Sequence, residues 1–129
     1  MISLLGTWRL LQVKAFDAEE RPVAEHEYGP EPWGMLQVSP HRMQGTVGDG
    51  RATLPAGAKR FWASYTGPYT FDGQTLITTV QDTNLADRQG SQQVRNVRAE
   101  GATVWLGPPA RAVNGRTIRY ELQWERLAP

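Results

Sequence analysis

The chain contains no cysteine, which removes a disulfide framework, a thiolate metal site and a cysteine nucleophile at one stroke. A reducing compartment suits such a chain. It also lacks any run of about 18 consecutive apolar residues, so no membrane-spanning helix is expected. The start, Met1-Ile2-Ser3-Leu4-Leu5-Gly6-Thr7-Trp8, has neither the basic opening nor the apolar stretch of a signal peptide, and the expected location is cytoplasmic. Charge of a single sign is missing as well. Fourteen Lys and Arg stand against 13 Asp and Glu, a net charge of +1, so nothing electrostatic calls for nucleic acid or an anionic membrane as partner. Lys14 and Lys59 are the only lysines, and the arginines form no block. Helix-forming segments are scarce too: only Ala18–His26 could make a turn or two, and Pro22 interrupts it.

Glycine and proline, 13 and 9 in number, punctuate the 129 residues at short intervals, a pattern that favours many short strands. The spacing predicts strands over about Gly6–Phe16, Trp33–Val38, Arg42–Val47, Arg60–Phe71, Leu76–Thr83, Gln92–Ala99, Thr103–Leu106 and Thr117–Leu127. Ser39-Pro40-His41, Asp72-Gly73 and Glu100-Gly101 supply turns. The last strand alternates cleanly, Ile118, Tyr120, Leu122 and Trp124 against Arg119, Glu121, Gln123 and Glu125, so one face meets a core and the other water. About eight such strands in a chain the size of one domain (1–129) predict an all-β fold. The form expected is a closed antiparallel up-and-down β-barrel of about eight strands, with room inside for packed side chains or one small ligand.

Gly6-Thr7-Trp8 opens the first strand and Trp124-Glu125-Arg126 ends the last. The pairing resembles the lipocalin arrangement, in which a Gly-x-Trp indole plugs one barrel end beneath an arginine of the final strand. In order along the chain, Tyr28-Gly29-Pro30-Glu31-Pro32-Trp33-Gly34-Met35-Leu36, Tyr65-Thr66-Gly67-Pro68-Tyr69, Gln93-Val94-Arg95 and the Trp124-Glu125-Arg126 ending are similar to the small bacterial lipocalin-like domain family. The resemblance implies a lipocalin-like barrel and a link to natural-product metabolism. Thr78 stands where that family frequently carries a histidine, so no histidine chemistry carries over.

No motif fixes a reaction. His26 and His41 lie in loops without ligand spacing, so no metal is expected, and no cofactor is called for. Gly48-Asp49-Gly50 lacks the strand-to-helix setting of a phosphate loop. Arg95 shares its strand face with Gln93, Val97 and Ala99. If Val97 is inward so is Arg95, either paired with an inward Asp82 on the adjacent strand or free to anchor a ligand carboxylate, phenolate or carbonyl. Among the acids, Asp49, Asp72 and Asp87 sit at turns, whereas Asp82 lies in a strand and could titrate abnormally. Tyr65 and Tyr69 fall on one face with Gly67 between them, leaving a gap for a ring or a ligand; they are core or pocket walls. Tyr120 joins them on the inward face, and Trp33 could cap the barrel mouth.

The candidate ligand-binding set is therefore Tyr65, Tyr69, Arg95, Tyr120 and Trp33, and the expected partner is a small hydrophobic molecule, aromatic or polyketide-like. Assembly as a homodimer is left open. The alternative is a cofactor-free cyclase or isomerase of natural-product biosynthesis, in which Arg95, Tyr65 or Asp82 polarises a carbonyl or moves a proton.

Overall fold

Alternation of apolar and polar residues resolves into ten strands in a computed structural model that describes residues 2–129. They are β1 (Gly6–Phe16), β2 (Pro32–Val38), β3 (Arg42–Asp49), β4 (Trp62–Phe71), β5 (Thr75–Thr79), β6 (Asp82–Thr83), β7 (Gln92–Glu100), β8 (Thr103–Gly107), β9 (Arg111–Val113) and β10 (Arg116–Ala128). Eight of them pair antiparallel with their chain neighbours in the order β1-β2-β3-β4-β5-β7-β8-β10. β1 then pairs with β10 and closes the ring. This is an eight-stranded up-and-down barrel of the lipocalin-like kind, and closure leaves it no free sheet edge.

The periodicity of β10 holds: Ile118, Tyr120, Leu122 and Trp124 are all buried. Leu36 and Val38 of β2, Met43 and Val47 of β3, Ala63 and Tyr65 of β4, and Leu76 of β5 complete the inner face. One end is plugged as the motifs suggested. Trp8 is 2% exposed, its indole N–H donates to the Leu4 carbonyl at 2.8 Å, and the Arg126 guanidinium lies 4.5 Å from the ring centroid. Arg126 also donates to the Ser3 carbonyl, tying the N-terminal segment across this end. Such a stacked guanidinium contributes about 0.5–2 kcal/mol.

Four expectations are corrected. No helix forms at Ala18–His26; Asp17 Oδ1 instead accepts from the Glu19 and Arg21 amides and curls the segment into a turn. The strand expected over Leu76–Thr83 is broken at Val80-Gln81 into β5 and β6. The cause is Gly67, where a Cβ would lie 1.7 Å from the Thr79 carbonyl oxygen. The space above it is therefore filled by backbone and holds no ring or ligand. Finally, β9 was not foreseen. It forms a hairpin with the start of β10 through Asn114-Gly115, both at positive φ (51° and 78°), the pairing that a two-residue hairpin turn requires.

Candidate functional site: a basic cavity at the open end

Opposite the Trp8 plug, the barrel interior holds a cavity of about 360 Å³. That is room for about twelve waters at liquid volume, the scale of one small organic molecule. Trp124 and Leu122 of β10 lie deepest, nearest the plugged end, while Val47, Ala63 and Leu106 line its sides. The mouth is framed by Tyr28 from the β1–β2 connection, Asp87 and Arg88 from a 3₁₀ turn (Ala86–Arg88), and the Pro108–Ala112 segment leading into β9.

Arg95 enters this cavity from the middle of β7. Its strand neighbours Val94 and Asn96 are exposed, so the two-residue period carries Arg95 inward, where it is 8% exposed. The guanidinium stacks over the Tyr65 ring at 4.8 Å. Among the described residues it has no salt bridge, and its Nη1 has no hydrogen-bond partner in the protein. Of the two alternatives the sequence left open, the pairing with Asp82 does not occur. Asp82 lies on the outer surface in β6, exposed, with Oδ1 accepting from the Thr83 amide. The break at Val80-Gln81 separates it from the inward run of β5.

Tyr65 and Tyr120 both line the cavity, as the alternation of β4 and β10 predicts. Tyr65 leans over Gly45, where a Cβ would come within 3.1 Å of its hydroxyl oxygen. Tyr120 is 1% exposed and its hydroxyl has no partner. Burial pushes its phenol pKa up, and the nearby Arg111 charge opposes that rise.

The other two candidates lie elsewhere. Tyr69 has the expected face but the wrong depth: it sits toward the plugged end, its hydroxyl donating to the Ser39 carbonyl at 2.8 Å. Trp33 does not cap the mouth. It points outward from β2 and is 50% exposed, because Gly34, Leu36 and Val38 take the inward positions.

Two further residues, Tyr28 and Arg111, line the site, and His26 packs against it. Tyr28 is buried and packs edge-on against Phe61 and Tyr120, with centroids 5.1 and 5.0 Å away. Burial raises its phenol pKa well above the ordinary value, helped by Tyr120. Arg111 of β9 lies 5.5 Å from the Tyr120 ring and forms an ion pair with Glu27. His26 lies edge-on to Tyr120 at 5.8 Å, and burial lowers its pKa, favouring the neutral imidazole. Arg111 was legible through the Asn114-Gly115 hairpin signal; no local pattern marks Tyr28 as buried.

Arg88, Arg95 and Arg111 thus face one cavity whose lining holds a single acid, Asp87 at the mouth. Among the described residues no group of three or more His, Asp or Glu side chains could hold a metal ion, and no helix is long and apolar enough to cross a membrane. Comparison of the chain with family models, with curated proteins and with solved structures gives no match.

Proposed function

We propose that this barrel binds a small, largely apolar molecule carrying one anionic or strongly polarised oxygen group, a carboxylate, a phenolate or a conjugated carbonyl, held by Arg95. The single observation that carries the reading is a buried guanidinium without a counter-ion inside a cavity. A cation withdrawn from water is costly unless it is paired, and here the protein offers it only the face of Tyr65. A ligand oxygen supplies the missing partner, while Trp124, Leu122 and Tyr120 cover the apolar remainder. The motif resemblance supports the same class of function and points to natural-product metabolism as the source of such molecules.

A catalytic reading, cyclase or isomerase, rests on Arg95 and Tyr65 polarising a bound carbonyl. The carboxylate it relied on, Asp82, is outside the cavity, and the one acid in the lining, Asp87, sits at the mouth. The binding reading is therefore preferred.

Two fluorescent aromatics test it: the anionic 8-anilinonaphthalene-1-sulfonate and the uncharged 1-aminoanthracene. Both should bind the wild-type protein. Arg95→Met should weaken the anionic probe by about 2–5 kcal/mol, at least about thirtyfold, and leave the neutral one nearly unchanged. Equal loss for both probes, or none for either, would overturn the anchoring role.

A further inference from the structure

A second site lies outside the barrel, on the face of β2, β3 and β4, and it is independent of what fills the cavity. Trp33 pairs with Gly48, and Gly48 pairs with Trp62, so two indoles stand in register on either side of a glycine. They are 50% and 48% exposed, forfeiting the burial that tryptophan ordinarily secures. With two strand spacings between them, their backbones are about 9.5 Å apart.

Beneath the indoles, the same register lays out rows that are polar except for Met35, which pairs with Thr46. Thr46 pairs with Ser64, their hydroxyls hydrogen-bonded at 3.3 Å. Below them Gln37, Gln44, Thr66 and Asp82 follow one another across four strands. The Gln44 amide Nε2 donates to Gln37 Oε1 at 2.5 Å, which leaves the Gln37 amide N–H groups and the Gln44 side-chain carbonyl to bond outward. Asn84 holds this edge in place, accepting from the Ser64 amide at 2.7 Å and donating to the Trp62 carbonyl at 3.0 Å. The result is an open groove of about 650 Å³ whose lining contains one carboxylate and no cation.

We infer that this groove binds a neutral oligosaccharide. The chemistry selects that class. An indole face carries negative quadrupole charge and attracts the polarised C–H face of a pyranose ring. Amides, hydroxyls and one carboxylate supply the mixed donors and acceptors that sugar hydroxyls need. Without a cation the groove offers nothing to a phosphate or sulfate, and its mixture of aromatic faces with Gln, Thr, Ser and Asn side chains suits a ligand that is apolar on its ring faces and polar at its edges. Two strand spacings are close to the length of a disaccharide unit, so one chain is long enough to reach both indoles.

The test titrates the intact protein with cellohexaose, chitohexaose and maltohexaose in turn, following tryptophan fluorescence and heat. At least one should bind with a Kd of about 1 mM or tighter. Trp33→Ala and Trp62→Ala should each weaken it at least about tenfold, and Asp82→Asn severalfold. All three variants should keep the far-ultraviolet circular dichroism and cooperative urea unfolding of the wild type, which shows that the barrel is intact. Absence of binding by all three sugars overturns the proposal. So does sugar binding that the tryptophan variants leave unchanged. A wild-type dimer in sedimentation that Trp62→Ala dissolves also overturns it, and assigns the face to a second copy of the chain.

Discussion

Arg95 of β7 and Tyr65 of β4 meet inside the barrel, guanidinium to ring centroid 4.8 Å, and this arginine forms no ion pair among the described residues. A π face compensates a buried cation only in part, about 0.5–2 kcal/mol against a larger desolvation cost. The pair is therefore poised to accept an acceptor group between or beside them, and this distinguishes it from the structural ion pair that the sequence also allowed.

The first prediction follows from that absence of an acid. Arg95→Met should leave the free energy of unfolding within about 2 kcal/mol of the wild type, because it removes a stacked cation and strands no carboxylate. Breaking a buried ion pair would cost about 3–5 kcal/mol. Urea unfolding of the two proteins separates these values, and a loss of the larger size would reveal a partner for Arg95.

Trp8→Ala should destabilise the fold by about 3–5 kcal/mol, since a fully buried aromatic leaves the plugged end. Arg126→Met should cost less, about 0.5–2 kcal/mol for the stacking contact. Equal effects of the two substitutions in denaturant unfolding would mean that the indole contributes no packing beyond the arginine contact.

Gly67→Ala should destabilise the barrel strongly, by more than the about 1–3 kcal/mol of ordinary overpacking, because its Cβ would meet a backbone oxygen at 1.7 Å. The β5–β6 break would have to open. A melting temperature equal to that of the wild type would show that Gly67 does face free space.

Asp49 gives a pH signature. It is buried at the end of β3, and hydrogen bonds from the Arg51 guanidinium at 2.5–3.1 Å hold its carboxyl below the usual value of 3.8. A depressed folded pKa means that the unfolded chain takes up the proton first. The stabilisation is thus fully present above about pH 4 and is lost as the pH falls through the folded pKa. Asp17 and Asp72 are lowered by their own turn hydrogen bonds, so the difference between wild type and Asp49→Asn is what matters. The wild-type advantage measured at pH 7 should shrink toward pH 3. An advantage that stays constant would mean that Asp49 has the same pKa folded and unfolded.

The fold was largely readable because alternation is a strong signal wherever one strand face is buried, and β10 shows it from Ile118 to Trp124. The exception is Gln123, expected to meet water but buried where it hydrogen-bonds Gln12 and Thr103. The same parity correctly turned Arg95, Tyr65 and Tyr120 inward. It reports a face, however, and says nothing of depth along the barrel axis, which is why Tyr69 looked like a pocket residue while it latches Ser39 at the other end. Trp33 was legible by parity with Leu36 and Val38, but its proline-rich surroundings suggested a lid. Asp82 was not legible. Its position depends on a strand break forced by the close approach of Thr79 to Gly67, a contact between residues 12 apart that no local pattern records.

The seam between β1 and β10 carries a consequence for how the molecule comes into being. It joins the first strand to the tenth, with Arg9 bound to Glu125 across 116 positions of sequence. A chain emerging from the ribosome can pair β2, β3 and β4 in turn, yet one flank of β1 must wait until β10 has been made. Contacts of such long range slow folding, and meanwhile the waiting strand exposes its amides and carbonyls to any other extended chain. Crowded, rapid expression should for that reason favour aggregation through β1, and slower synthesis should favour the closed ring.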